Sequence, residues 1–302
     1  MSLRGHAVPE ATSLVLWTLL LLSAAPAVFA DDVFFRDGGE LRGLVVEEHH
    51  DRVVVSTEQG ERTVPRKEID EIFYAEPERN QLYLGSQALE AGNFGGARKF
   101  FEQALRLNPL LLEAKDALGR VEDMELKAGQ PPVEPAAALA ALGLTLRVPH
   151  EEDGWVVVEG VARGSAAQRW GLALGDALVA HWGGSLRYLP PAEAARRLVG
   201  PPGSKLKLTL QRRIELPPAQ PPQVSWPGLK LEMEHFGLTA REVEPTAPAF
   251  LAGLRPGDRI VELGGAPTRY MPLGTARKTV QQAKDKGIPL VIHRDFIVIR
   301  EE

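Results

Sequence analysis

The sequence predicts a multidomain α+β chain: a small antiparallel β-barrel, a helical hairpin, and two copies of a partly open β-barrel module with helices. Three observations carry this. Residues 32 to 74 alternate short β-branched or aromatic runs with turns, and residues 78 to 111 switch to helical periodicity. Gly171-Leu172-Ala173-Leu174-Gly175-Asp176 then returns as Gly253-Leu254-Arg255-Pro256-Gly257-Asp258, each copy followed by a short apolar strand and a Gly-Gly turn. The expected divisions are 1–30, 31–76, 77–128, a Pro/Ala linker at 129–140, a first module at 141–215, a Pro-rich linker at 216–227, and a second module at 228–302.

Residues 1–30 read as a secretory signal peptide. Arg4 and His6 make a weakly positive start, Leu14 to Leu22 an apolar stretch, and Val28-Phe29-Ala30 a small-residue cleavage site. Cleavage after Ala30 is expected; uncleaved, the run to Ala30 is a short membrane anchor, the one route to membrane contact. The chain has no cysteine, which excludes disulfides, thiolate metal sites and a catalytic thiol. An exported chain without disulfides suits a bacterial periplasm or envelope.

In residues 31–76, Val33-Phe34-Phe35, Leu41 to Val46, Val53 to Ser56 and Arg62-Thr63-Val64 are separated by turns at Asp37-Gly38-Gly39, His49-His50-Asp51 and Gln59-Gly60. Short strands this dense bury a core only by curling, and the pattern resembles the small SH3-like or Sm-like barrels. The Glu47 to Asp51 run reads as a solvated hairpin tip. Leu84, Gly85, Ala88, Gly92, Phe94, Ala97, Phe101, Ala104 and Pro109 fall where a tetratricopeptide repeat expects them, so residues 77–128 resemble that family. One repeat is too short for a solenoid and suits docking or self-association. Proline-rich linkers act as semi-rigid spacers, so the expected arrangement is beads held apart.

Gly171 and Gly253 fit the left-handed residue that stops a short helix, and the second glycine with its aspartate fits a tight turn into a strand. Arg163-Gly164-Ser165-Ala166-Ala167 and Pro245-Thr246-Ala247-Pro248-Ala249 precede the two motifs. Together these resemble PDZ domains, and the resemblance implies peptide capture by strand addition beside a helix, with a free carboxylate held by backbone N–H groups. In the first module it assigns Leu142, Gly143 and Leu144 to the carboxylate loop and edge strand, and Pro191, Ala195 and Leu198 to the groove helix. In the second it offers two registers, Phe236-Gly237-Leu238 or Gly228-Leu229-Lys230-Leu231. The latter keeps a hairpin before Pro245 and is preferred. Leu229, Lys230 and Leu231 then form the edge, Lys230 stands where the first module has Gly143, and Ala276, Val280 and Ala283 lie on the helix.

No catalytic chemistry is legible. Seven histidines form no His-Glu-x-x-His, and no Gly-x-Ser-x-Gly occurs. The catalytic domains of proteases that carry PDZ modules have no room here. Residues 31–128 hold about eight more acidic than basic side chains, and no basic face with interleaved aromatics argues for nucleic acid. The expected function is a non-enzymatic exported adapter without cofactor or metal, whose partners are proteins or peptides with apolar C-termini or extended segments. The alternative is a regulatory or substrate-delivery subunit of a separate envelope protease or secretion machine.

Overall fold

The computed structural model describes residues 30–131, 133–147, 154–219, 226–234 and 237–300; the expected signal segment, apart from Ala30, and the His150 to Asp153 run lie outside them. Strands β1 (Asp31–Phe35), β2 (Glu40–Glu48), β3 (Arg52–Thr57), β4 (Gly60–Pro65) and β5 (Ile69–Phe73) form one antiparallel sheet in the order β4-β3-β2-β1-β5. Alternate side chains point to opposite faces, so Val33, Val45, Val53, Val55 and Ile72 share a core with Tyr74. Gly43 is there for close approach, since a Cβ would stand 2.5 Å from the Ser56 carbonyl oxygen.

Helices α1 (Pro77–Glu90), α2 (Phe94–Leu107) and α3 (Leu112–Ala128) follow. Asn93 caps α2 by accepting from Gly96 N at 2.9 Å. Helices α1 and α2 pack closely because the fully buried Phe101 ring lies over Gly85, where any Cβ would collide with it. The second half of the expected linker at 129–140 is instead helical, within α4 (Pro135–Leu142). Pro135 occupies its first turn, alanines favour it, and Gly143 ends it in the left-handed conformation at φ 66°.

The remaining elements form two modules. The first comprises β6 (Leu144–Arg147), β7 (Val156–Val161), α5 (Ala166–Arg169), β8 (Ala177–His181), β9 (Gly184–Ser185), α6 (Pro191–Leu198) and β10 (Lys205–Leu216). The second comprises β11 (Leu229–Glu234), β12 (Gly237–Val243), α7 (Pro248–Leu251), β13 (Arg259–Leu263), β14 (Ala266–Pro267), α8 (Leu273–Gln282) and β15 (Ile288–Ile299). They are not separate beads. β10 and β15 pair antiparallel from Lys205↔Ile299 to Leu216↔Ile288, making one sheet in the order β11-β12-β13-β15-β10-β8-β7-β6. Gln211 and His293, equivalent positions 82 residues apart, face each other with Nε2 and Oε1 at 3.1 Å, so a local two-fold axis passes between them. The second half of each strand enters the other module: Ile214 and Leu216 join the core of module 2, while Phe296 and Val298 pack on that of module 1. The described ends of the Pro-rich run are also tied down, Trp226 Nε1 donating to Pro217 O at 3.0 Å and Ala219 N to Lys284 O at 2.7 Å.

The two repeated turns are clamped alike. Asp176 and Asp258 are buried, accept from Ala173 N and Arg255 N, and receive Arg212 and Arg294 bidentately at 2.7 Å. The same guanidinium groups reach the Gly171 and Gly253 carbonyls, fixing each turn to β10 or β15.

The N-terminal half is docked as well. Gly119 of α3 makes room for the Trp182 ring, and Lys207 Nζ donates to Asp116 at 2.7 Å. Asp123, almost wholly buried, accepts from Arg300 Nη1 at 2.6 Å, with Lys127 Nζ and His181 Nε2 at 2.6 and 3.0 Å from its other oxygen but off hydrogen-bond alignment. The Glu47 to Asp51 turn is not solvated as expected. His49 is 9% exposed and bridges Ser185 Oγ and Glu47 at 2.7 and 2.9 Å, and Glu47 also receives Arg187 of module 1 and Arg269 of module 2. Its hydrogen bond with His49, joined by the Arg269 guanidinium, outweighs burial and holds the Glu47 carboxyl down to about 2.

Two predictions follow from these joints. Burial of Ile214 and Leu216 contributes roughly 3–6 kcal/mol, comparable with the total stability of a small domain. Residues 228–302 alone, which lack them, are therefore expected to show no cooperative urea transition, whereas 136–302 unfolds cooperatively. Burial also pushes the His181 imidazole down to about 4 from an ordinary 6.5, and His293 in the same direction. Because the folded value is the lower one, the stability is fully present above about pH 6.5 and is lost as pH falls towards 4. The unfolding free energy should drop by roughly 1.4 kcal/mol per pH unit for His181 across that window. Replacing both histidines with glutamine should flatten the decline in urea titrations between pH 6.5 and 4.5.

Candidate functional site

Strand addition requires a sheet edge with open backbone groups beside a helix. Strands β11 and β6 are the two ends of the ten-stranded sheet, so the two candidate edges face away from each other.

In module 2 no described strand pairs with the outer side of β11. Ala240, opposite Leu231 on β12, gives its N–H to Asp258 O at 2.9 Å, so the N–H and C=O of Leu231 turn to the outer side. There the Leu231 carbonyl accepts from Arg277 Nη2 of α8 at 2.9 Å. Met233, two residues on, is 41% exposed. Leu231 and Val280, read as groove residues, are 4% and 5% exposed and belong to the module core, while Leu229 is half-buried against it. The cause is the two-residue period of the strand, which directs 229, 231 and 233 to one face. The preferred hairpin is present as β11 and β12, but Gly228, not Lys230, is the equivalent of Gly143. Gly228 has φ 68° and accepts from Glu244 N at 2.8 Å, as Gly143 with φ 66° accepts from Ala162 N at 2.8 Å. Lys230 lies on the outward face, donating to Glu242 at 2.6 Å.

In module 1 the corresponding space is filled. Ala195 of α6 is the counterpart of Arg277 and is fully buried, and α4, with its own Ala138 fully buried, packs along α6. Leu142, Leu144 and Leu198 are core residues, and Pro191 is the half-buried first residue of α6. The Gly143 N–H donates to Ala140 O at 3.0 Å, so this donor is spent on ending α4 rather than left for a ligand carboxylate. A Cβ at Gly143 would collide with that of Ser165, as one at Gly228 would with Ala247, so substitution there disturbs the turn itself.

Sequence reasoning did not find Arg277, because its counterpart in the first copy is alanine and no repeat marks it. It also passed over Arg212 and Arg294, although both stand 36 residues after the repeated aspartates. Among the described residues, no group of three or more His, Asp or Glu side chains could hold a metal ion, and no helix is long and apolar enough to cross a membrane.

No family model matches the chain, and no curated protein does. Solved structures that it resembles include PDZ domains. The dmPar3 PDZ1 domain in complex with the dmPar6 PBM is 22% identical, over 27% of this chain and 91% of that one, with a TM-score of 0.24. INAD PDZ45 in complex with NG2 peptide is 15% identical, over 53% and 87%, with a TM-score of 0.25. The RIM1alpha PDZ domain in complex with an ELKS1b C-terminal peptide is 20% identical, over 29% and 89%, with a TM-score of 0.24.

Placing a charge under α4 should lift it. Ala138→Glu is expected to raise amide hydrogen exchange across 136–147 to the rate of open chain, while β10 and β15 stay protected. Protection persisting at 136–143 would show that α4 does not depend on this contact.

Proposed function

We propose that this chain is a non-enzymatic adapter that takes extended peptide segments or C-termini into a PDZ-like module by strand addition, with the outer edge of β11 beside α8 as the working groove. The observation that carries this is the outward-turned backbone of Leu231 on the last strand of the sheet, next to a helix. Module 1 serves as scaffold, because α4 lies over its groove helix. The first five strands act as an SH3-like barrel and α1–α3 as a tetratricopeptide-like unit. Both support assembly, and the exposed Leu107, Leu110 and Leu112 suit self-association. The apolar N-terminal run and the absence of cysteine support export to a periplasm or envelope. Delivery to a separate protease would use the same edge.

The test is Met233→Pro. By the strand's alternation the Met233 N–H faces outward like that of Leu231, so proline costs no sheet hydrogen bond yet removes a donor needed by an added strand. Peptides selected on the full chain should bind the variant at least about tenfold more weakly, with an unchanged urea midpoint. Equal affinity in the folded variant would move the site elsewhere.

A further inference from the structure

We infer that Arg277 guards the groove of module 2 and makes it select strands that carry a carboxylate side chain. This rests on the reading of β11 as the working edge. An added strand must give an N–H to the Leu231 carbonyl, and that acceptor is already held by Arg277 Nη2 at 2.9 Å. The guanidinium lies on the side from which a peptide strand must approach, so the peptide pushes it aside to pair. The arginine is at the surface of α8, and its backbone stays fixed by the neighbouring Ala276, fully buried in the module core. Once displaced, the guanidinium remains beside the incoming strand with its donors open on that side. A neutral strand replaces a charge-assisted hydrogen bond with a neutral one. A strand bearing glutamate or aspartate at the facing position supplies a bidentate acceptor, and the exchange becomes favourable.

The other charges of this edge do not compete for that role. Lys230 is bonded to Glu242, while Glu232 and Glu234 lie 3.6 Å from Arg241 nitrogens. In module 1 the equivalent position is Ala195 beneath α4, so the device belongs to one module only.

The experiment is selection of a displayed random peptide library on the full chain, on Arg277→Leu and on Met233→Pro. The wild-type chain should enrich peptides with an acid at one position, and Arg277→Leu should enrich peptides without it. For one selected peptide, Glu→Gln should weaken wild-type binding about tenfold and leave Arg277→Leu indifferent. The Gln peptide should bind Arg277→Leu more tightly than wild type, because the Leu231 carbonyl is then open. Enriched peptides that depend on Met233 but show no acid preference, or the same preference in Arg277→Leu, would overturn the role of Arg277 while leaving the edge intact. No enrichment on any chain, or enrichment indifferent to Met233→Pro, would overturn both.

Discussion

The structure depends on the pairing of β10 with β15. Each strand is 12 residues long, and its two halves serve different cores. Leu206, Leu208 and Leu210 fill module 1 before Ile214 and Leu216 enter module 2; Ile288, Leu290 and Ile292 fill module 2 before Phe296 and Val298 reach module 1. An edge strand with unpaired backbone groups invites association. Here the edge that each module would expose at its last strand is covered by its twin, which leaves β6 and β11 as the outer strands. A rigid antiparallel ribbon also sets the two grooves apart, so one ligand segment cannot bridge them by flexing a linker.

The same ribbon makes the two copies unequal. The chain enters module 1 through α4, which stays on the module because Leu142 and half-buried Leu139 pack into its core. It enters module 2 through Trp226 and Pro227, with no helix between β10 and β11 among the described residues. Two modules with matching turns, clamps and strand order thus differ in what covers the space beside α6 and α8. In one it is an alanine helix, and in the other a single arginine.

Charged groups join the N-terminal sheet and helices to this core. Asp123 gathers Arg300, Lys127 and His181 from the residue after β15, α3 and β8, while Glu47 gathers His49, Arg187 and Arg269 from the N-terminal sheet and both modules. Buried pairs of this kind are weak sources of net stability, but breaking one leaves an uncompensated charge. They therefore hold the docking geometry. The N-terminal sheet and helices consequently form a base that orients module 2 rather than a tethered neighbour.

Much of the local structure was legible in the sequence. The Gly-Asp turns, the alternating strands around Val53 and Val55 and the Gly85–Phe101 contact are set by backbone sterics and side-chain periodicity acting over a few residues or one helical hairpin. The repeat of the motif likewise announced two copies of one module. What lay beyond it were contacts between distant segments: the full-length pairing of β10 with β15, the equivalence of Gly228 with Gly143, and the burial of Ala195. An alanine-rich stretch reads as linker or helix by composition alone, and only the surface of α6 decides that it packs. By itself the sequence determined the modules, because their turns and strands answer to local chemistry. Tertiary structure alone decided which edge stays open, because that depends on which distant strand or helix reaches it first with a complementary apolar face.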